Sequence, residues 1–95
     1  MPENLPIPSQ VDAPSDVLYE LLEDEVVLLN LTTEHYYILD DIGTRMWQLL
    51  TELHDPELVV QQMVNEYEVD EETVRGDLQT TINYLLEYKL LANSQ

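Results

Sequence analysis

The sequence predicts an α+β fold, a three-stranded antiparallel sheet followed by three helices in one small domain. Three observations carry this. Residues 17–39 hold three short β-rich runs separated by polar breaks. From residue 40 onward the apolar residues recur at three- and four-residue steps instead. Aspartates stand where helices would start, at Asp40 or Asp41, at Asp55 and at Asp70.

The first strand is predicted over Val17-Leu18-Tyr19-Glu20-Leu21-Leu22, and the triplet Glu23-Asp24-Glu25 is a hairpin turn. Val26-Val27-Leu28-Leu29-Asn30-Leu31 follows, rich in residues that suit a pleated surface. Thr32-Thr33-Glu34 breaks it, and His35-Tyr36-Tyr37-Ile38-Leu39 makes the third strand. In the first helix Ile42, Met46, Leu49, Leu50 and Leu53 form an inward stripe, with Trp47 beside it as core. Asp55-Pro56 starts a second helix, since proline at the first helical position gives up no hydrogen bond. It runs to about Tyr67 with Leu58, Val59, Met63 and Tyr67 facing inward. The third helix begins after Asp70, with Glu71 and Glu72 favoured by the dipole of its first turn, and ends near Leu90 or Leu91. Residues 1–14 carry four of the five prolines and read as an extended, mobile N-terminal arm, leaving 15–92 as the folded domain.

Charge narrows the function. Twenty Asp and Glu oppose three basic residues, Arg45, Arg75 and Lys89, for a formal net charge of −17. Proteins bind nucleic acid by neutralising phosphates with Lys and Arg, so DNA, RNA and anionic membranes are poor partners for this chain. A peptide or protein bearing basic groups is a better one, because the field of the domain steers it in. No apolar run approaches the length of a membrane span, and no signal peptide heads the chain.

The usual catalytic constellations are missing from the sequence. There is no Cys, which removes thiolate chemistry and disulfides and fits a reducing cytoplasm. His35 and His54 lack the spacing of a metal motif, and two glycines cannot build a phosphate loop. No enzyme activity, metal or cofactor is expected. Two surfaces suit binding instead. The strand His35–Leu39 is the last of its meander and contains neither Pro nor Lys to blunt its edge, so another chain could add to it. Tyr36 and Ile38 point to one face and Tyr37 and Leu39 to the other, with the inward pair left open by the sequence. On the third helix, Val74, Leu78, Ile82 and Leu85 form the central stripe. Asp77, Thr81, Tyr84 and Tyr88 flank it as a semi-polar strip, which suits either a groove wall or a core boundary.

An ordered set of residues adds a resemblance. Val26–Leu31, Tyr36-Tyr37-Ile38-Leu39, Ile42-Gly43, Met46–Leu50, Val69-Asp70, Val74–Leu78, Leu85-Leu86-Glu87 and Leu90-Leu91 together resemble the PqqD-like family. The likeness is greater still to the stand-alone leader-peptide recognition proteins (RiPP recognition elements) of lasso peptide biosynthesis. Two departures stand out. Thr33-Glu34 replaces a turn that often carries Gly, which would change the hairpin type. Lys89 replaces a Gly before the final apolar pair, which would lengthen the last helix.

The resemblance implies a winged helix-turn-helix-like fold. It implies a domain that binds the leader segment of a ribosomally made precursor as a strand added to the third strand, against the third helix. The bound precursor would then be presented to a separate cysteine leader peptidase. Carried over by position, the peptide-binding residues are His35, Tyr36, Tyr37, Ile38 and Leu39 on the strand. On the helix they are Val74, Asp77, Leu78, Thr81, Ile82 and Leu85, with Asp77 the expected polar contact. A recognition domain serving another peptide-modifying enzyme, such as a radical enzyme, is the alternative, and a winged-helix DNA binder is disfavoured by the charge.

Overall fold

Strand pairing begins at a two-residue turn. In the computed structural model, which describes residues 8–93, the strands β1 (Val11–Asp12), β2 (Val17–Leu22), β3 (Glu25–Asn30) and β4 (His35–Leu39) come first. The helices α1 (Asp41–Leu53), α2 (Pro56–Tyr67) and α3 (Glu71–Glu87) follow, and β5 (Ala92–Asn93) closes the order. β2, β3 and β4 form an antiparallel meander in that order, as predicted. Glu25 belongs to β3, so the first turn is only Glu23-Asp24, with Leu22 opposite Glu25.

The Asp caps sit where the sequence placed them. The Asp40 carboxylate accepts the Gly43 N–H at 2.8 Å, Asp55 accepts that of Glu57 at 2.9 Å, and Asp70 accepts that of Thr73 at 3.3 Å. Each satisfies an N–H that the first helical turn would leave without a partner. Trp47, Leu28, Leu50, Leu78, Ile82 and Leu85 form the centre of a core shared by sheet and helices, all fully buried. Trp47 is core, as its place beside the helical stripe indicated; the Tyr19 ring meets it edge-on at 5.3 Å.

Two buried polar side chains join the sheet to the helices. The Thr44 hydroxyl accepts the Val26 N–H at 2.9 Å and donates to the Leu39 carbonyl at 3.2 Å. It stands between two backbone groups that face each other across β3 and β4, and so fixes α1 against the end of the edge strand. Thr44→Val keeps the shape and removes both bonds; a loss of about 1–3 kcal/mol in urea unfolding is expected. Asn30 donates to the Lys89 carbonyl at 3.2 Å, and its Oδ1 accepts from the Thr32 and Thr33 N–H groups. It ties the second hairpin loop to the end of α3.

Four expectations change. Val11 is fully buried, donates its N–H to the His54 carbonyl, and belongs to a strand paired with β5. The last part of the expected mobile arm is therefore docked, and residues 1–7 lie outside the described residues. On α2, Leu58 and Tyr67 are exposed, while Val60 is buried beside Val59 and Met63. The inward face keeps Val59 and Met63 and is turned by about 30° toward Val60. Ile42 is exposed as well, at the mouth of a hollow it shares with Met46, Met63 and Val74. Finally, α3 ends at Glu87, short of Leu90.

That last change has a clear cause. The Leu90 N–H donates to the Leu85 carbonyl and the Lys89 N–H to that of Leu86, with Lys89 at φ 62° and Leu85 and Leu90 both buried. This is a Schellman closure with lysine in the left-handed position that glycine usually takes. Glu34, at φ 63°, plays the same part in the hairpin loop before β4. Both departures from the family's glycines thus keep the glycine backbone at a cost in strain. Glu34→Gly is expected to stabilise the domain by about 1 kcal/mol, raising Tm by roughly 4–8 °C. A lower Tm would mean that the Glu34 side chain holds the loop by contacts of its own.

Candidate functional site

β4 is the edge of the sheet, and among the described residues nothing pairs with its outer side. Ladder bonds alternate along an antiparallel strand, and the two-residue turn between Leu22 and Glu25 sets the phase. Residues 25, 27 and 29 then bond toward β2, and 26, 28 and 30 toward β4. The Thr44 bridge between Val26 and Leu39 agrees with this phase. On β4, residues 35, 37 and 39 therefore face β3, whereas the N–H and C=O groups of Tyr36 and Ile38 point to the open edge. The register also resolves which side chains face inward. Leu39 is buried and Tyr37 half-buried on the helix side, while Tyr36 and Ile38 are 68% and 55% exposed on the other.

Beside this edge runs α3. A hollow of about 420 Å³ lies between them, lined by Ile38, Leu39, Asp40, Gly43, Thr81 and Tyr84, with Thr80 at its rim. A smaller one of about 160 Å³ continues along α3, where Ile42, Met46, Met63, Val74 and Asp77 meet Tyr67. At the other end the rings of Tyr37, Tyr84 and Tyr88 pack on each other at 4.9–6.3 Å between centroids. Partial burial, with the neighbouring Tyr88 and Tyr37 adding to it, raises the Tyr84 hydroxyl above the usual tyrosine range.

The eleven residues expected at the site divide four ways. Tyr36, Ile38, Leu39, Thr81 and Asp77 border the edge or the hollows, and Tyr37 supports them through the tyrosine cluster. Val74 reaches the smaller hollow with little exposed surface. Leu78, Ile82 and Leu85 are fully buried; they hold α3 to the core and offer nothing to a ligand from outside. His35 starts the edge but lines neither hollow.

Some lining residues had no place in the expected site. Tyr84 lies on the strip Asp77–Thr81–Tyr84–Tyr88, and its spacing alone could have included it. Asp40 reads only as a helix cap, and Gly43 only as part of the resemblance. Gly43 matters because a Cβ there would come within 3.2 Å of the Asp40 carboxylate and 3.3 Å of the Leu39 Cβ. Its absence lets α1 begin tightly against the end of β4. Ile42 belongs by spacing to the inward stripe of the first helix, yet lines the smaller hollow.

The charges around the groove are acidic. Asp40 and Asp77 border the hollows, while two of the three cations are engaged elsewhere. Arg45 donates through Nε to Glu66 at 2.8 Å, joining α1 to α2, and Arg75 bonds both Glu57 and Glu71. Arg45, with help from Gln62, holds the Glu66 carboxyl down at about 2. A depressed carboxylate stabilises the fold above its unfolded range and releases as pH falls through the folded value. This clamp therefore holds at neutral pH and lets go only toward pH 2.

Among the described residues no three His, Asp or Glu side chains converge as a metal site, and no helix is long and apolar enough to cross a membrane.

Solved structures share this fold. The solved structure "TbiB1 in Complex with the TbiA(beta) Leader Peptide" is 38% identical, with a TM-score of 0.83 over 88% of this chain and 98% of that one. "Lasso peptide synthetase B1 complexed with the leader peptide" shares the fold at 23% identity, with a TM-score of 0.79 over 87% of this chain and 98% of its own. No curated protein sequence matches. The family model for coenzyme PQQ synthesis protein D covers residues 25–91, from the first residue of β3 to the apolar pair after α3. The chain accordingly belongs to the PqqD family.

Proposed function

We propose that this protein binds the leader segment of a ribosomally made precursor peptide of the lasso type. The leader adds as a strand to β4, lies against α3, and is presented to a separate cysteine leader peptidase in the cytoplasm. The observation that carries this reading is the pairing of an open backbone edge with a lined groove. The Tyr36 and Ile38 N–H and C=O groups supply strand pairing, and the hollows beside them receive alternate side chains of the added strand. Two relatives of the same fold are described as leader-peptide complexes, and one of them is 38% identical to this chain. The acidic domain would draw in a leader bearing basic residues.

Titrating a fluorescently labelled leader peptide against the protein tests the reading, with the core peptide as control. Saturable binding of the leader alone is expected; no saturable binding to any cognate leader would sink it. Thr81→Trp places an indole in the larger hollow and is expected to weaken leader binding at least about tenfold with an unchanged melt. Asp77→Ala is expected to weaken it by a smaller factor, as the loss of one exposed polar contact. Normal binding by both variants would put the groove elsewhere.

A further inference from the structure

At one end of the groove stand three tyrosines that strand pairing with β4 does not use. Tyr37 comes from β4, and Tyr84 and Tyr88 lie one turn apart on α3. Their ring centroids form a triangle with sides of 4.9, 5.4 and 6.3 Å. That triangle is too tight to admit a group between the rings, so it offers only their outer faces. Tyr84 and Tyr88 are 38% and 40% exposed. Contact among the rings thus holds two large aromatic faces in place at the groove wall.

Charge indicates which side chain suits them. An aromatic face is the negative side of the ring quadrupole and attracts a cation within about 6 Å of its centroid. Two carboxylates belong to this end. Glu87 lies about 60° round α3 from Tyr84, on the side away from the core, and Glu34 lies in the loop before β4. The last turn of α3 holds no basic residue, and the negative end of the helix dipole is there. Lys89 follows the cluster in sequence, yet among the described residues no cation is seated on the three rings.

We infer that this cluster seats a lysine or arginine side chain of the bound leader, stacked on the outer faces of Tyr84 and Tyr88. The inference rests on the leader-binding reading above and adds to it the class of residue the leader must carry. The register says where. Side chains of an added strand alternate as those of β4 do, and those beside Tyr37 and Leu39 turn to the helix side. The one beside Leu39 meets the larger hollow, which Leu39, Thr81 and Tyr84 line. The one beside Tyr37, two residues along the leader, meets the rings. Arginine suits them best, because its planar guanidinium stacks on an aromatic face.

A double-mutant cycle on the full chain tests this, using fluorescently labelled cognate leader and peptides in which each Lys or Arg is replaced by Met in turn. Methionine keeps an unbranched apolar stem and loses the charge. Tyr84→Leu/Tyr88→Leu removes the ring faces, and Tyr84→Phe/Tyr88→Phe restores them without the hydroxyls. Thermal melts check that each variant is folded; if the leucine pair is not, Tyr88→Leu alone takes its place. At one basic position, replacement by Met is expected to cost about threefold to thirtyfold in affinity for the parent. The same replacement is expected to cost less than about twofold for the leucine variant, with the phenylalanine pair recovering most of the sensitivity. Equal losses for parent and leucine variant at every basic position overturn the inference, since they report only steering by the acidic domain. So does a leader that binds tightly without any Lys or Arg. A second arm does not depend on the leader. Acetyl-arginine amide is expected to shift the tyrosine ring NMR signals of the parent, and acetyl-norleucine amide at equal concentration to shift them less. If no leader binds, the leader reading fails and this arm decides the cluster: equal shifts by the two amides overturn it.

Discussion

An Ile38→Pro chain is expected to keep its fold and lose leader binding, whereas Tyr37→Pro is expected to lose the fold. The two positions are neighbours on one strand, and the difference comes from the direction of their N–H groups. Ile38 presents its N–H to the open edge, and proline is tolerated on an edge where no ladder bond is given up. The residue before proline is held extended, which Tyr37 already is. The ring, however, removes a donor that an added strand needs and projects where that strand would lie. Binding of labelled leader is expected to weaken at least about tenfold, and Tyr36→Pro/Ile38→Pro to bring it below detection. Tyr37 sits opposite Leu28, which is fully buried. Proline there breaks the ladder inside the sheet and orphans a carbonyl of β3, at about 1–3 kcal/mol before any distortion is counted. Tight leader binding by Ile38→Pro would show that the peptide does not add to this edge.

The second large effect is on stability. Trp47→Ala is expected to cost about 3–5 kcal/mol, enough to leave a domain of this size largely unfolded. Trp47 is fully buried, joins α1 to the Tyr19 ring of β2, and is the largest side chain of the core. Trp47→Phe should lose much less. Among the described residues the Trp47 Nε1–H finds no hydrogen-bond acceptor, so removing it abandons no bond and relieves a buried polar group. The edge-on aromatic contact with Tyr19 can persist with phenylalanine. Urea unfolding followed by circular dichroism compares the three chains. If Phe costs as much as Ala, the indole N–H makes an interaction that this structure lacks.

Much of the architecture was legible residue by residue. Asp40, Asp55 and Asp70 announced three helix starts because an N-cap is a local device, satisfied within three residues of itself. The strands were legible because β-rich runs and polar turns act over similarly short spans. The helix ends were harder to see. His54, Glu68 and Lys89 all take left-handed backbones without being glycine, so no residue type marked the stops. The β1–β5 ribbon was invisible for a different reason: two-residue strands from opposite ends of the chain carry no periodicity of their own.

The site was legible in part. An edge without Pro or Lys and a semi-polar strip on the third helix could be read from the pattern, and the resemblance joined them into one groove. The pattern could not separate Thr81 and Asp77, which border the hollows, from Leu78, Ile82 and Leu85, which vanish beneath them. Burial depends on what lies opposite, and the sheet lies opposite.

By itself, then, the sequence determined the order of elements, the helix starts, the acidity that makes phosphate groups poor partners, and the strand most open to a second chain. These follow from propensity, capping and composition, which act within a few residues or over the chain as a whole. Only the tertiary structure decided that Tyr36 and Ile38 carry the open backbone groups, that Gly43 lets α1 close up on β4, and that Tyr37 meets Tyr84 and Tyr88 at one end of the groove. Each of these is a relation between segments distant in sequence. Register and packing set such relations, and no single stretch of the chain contains them.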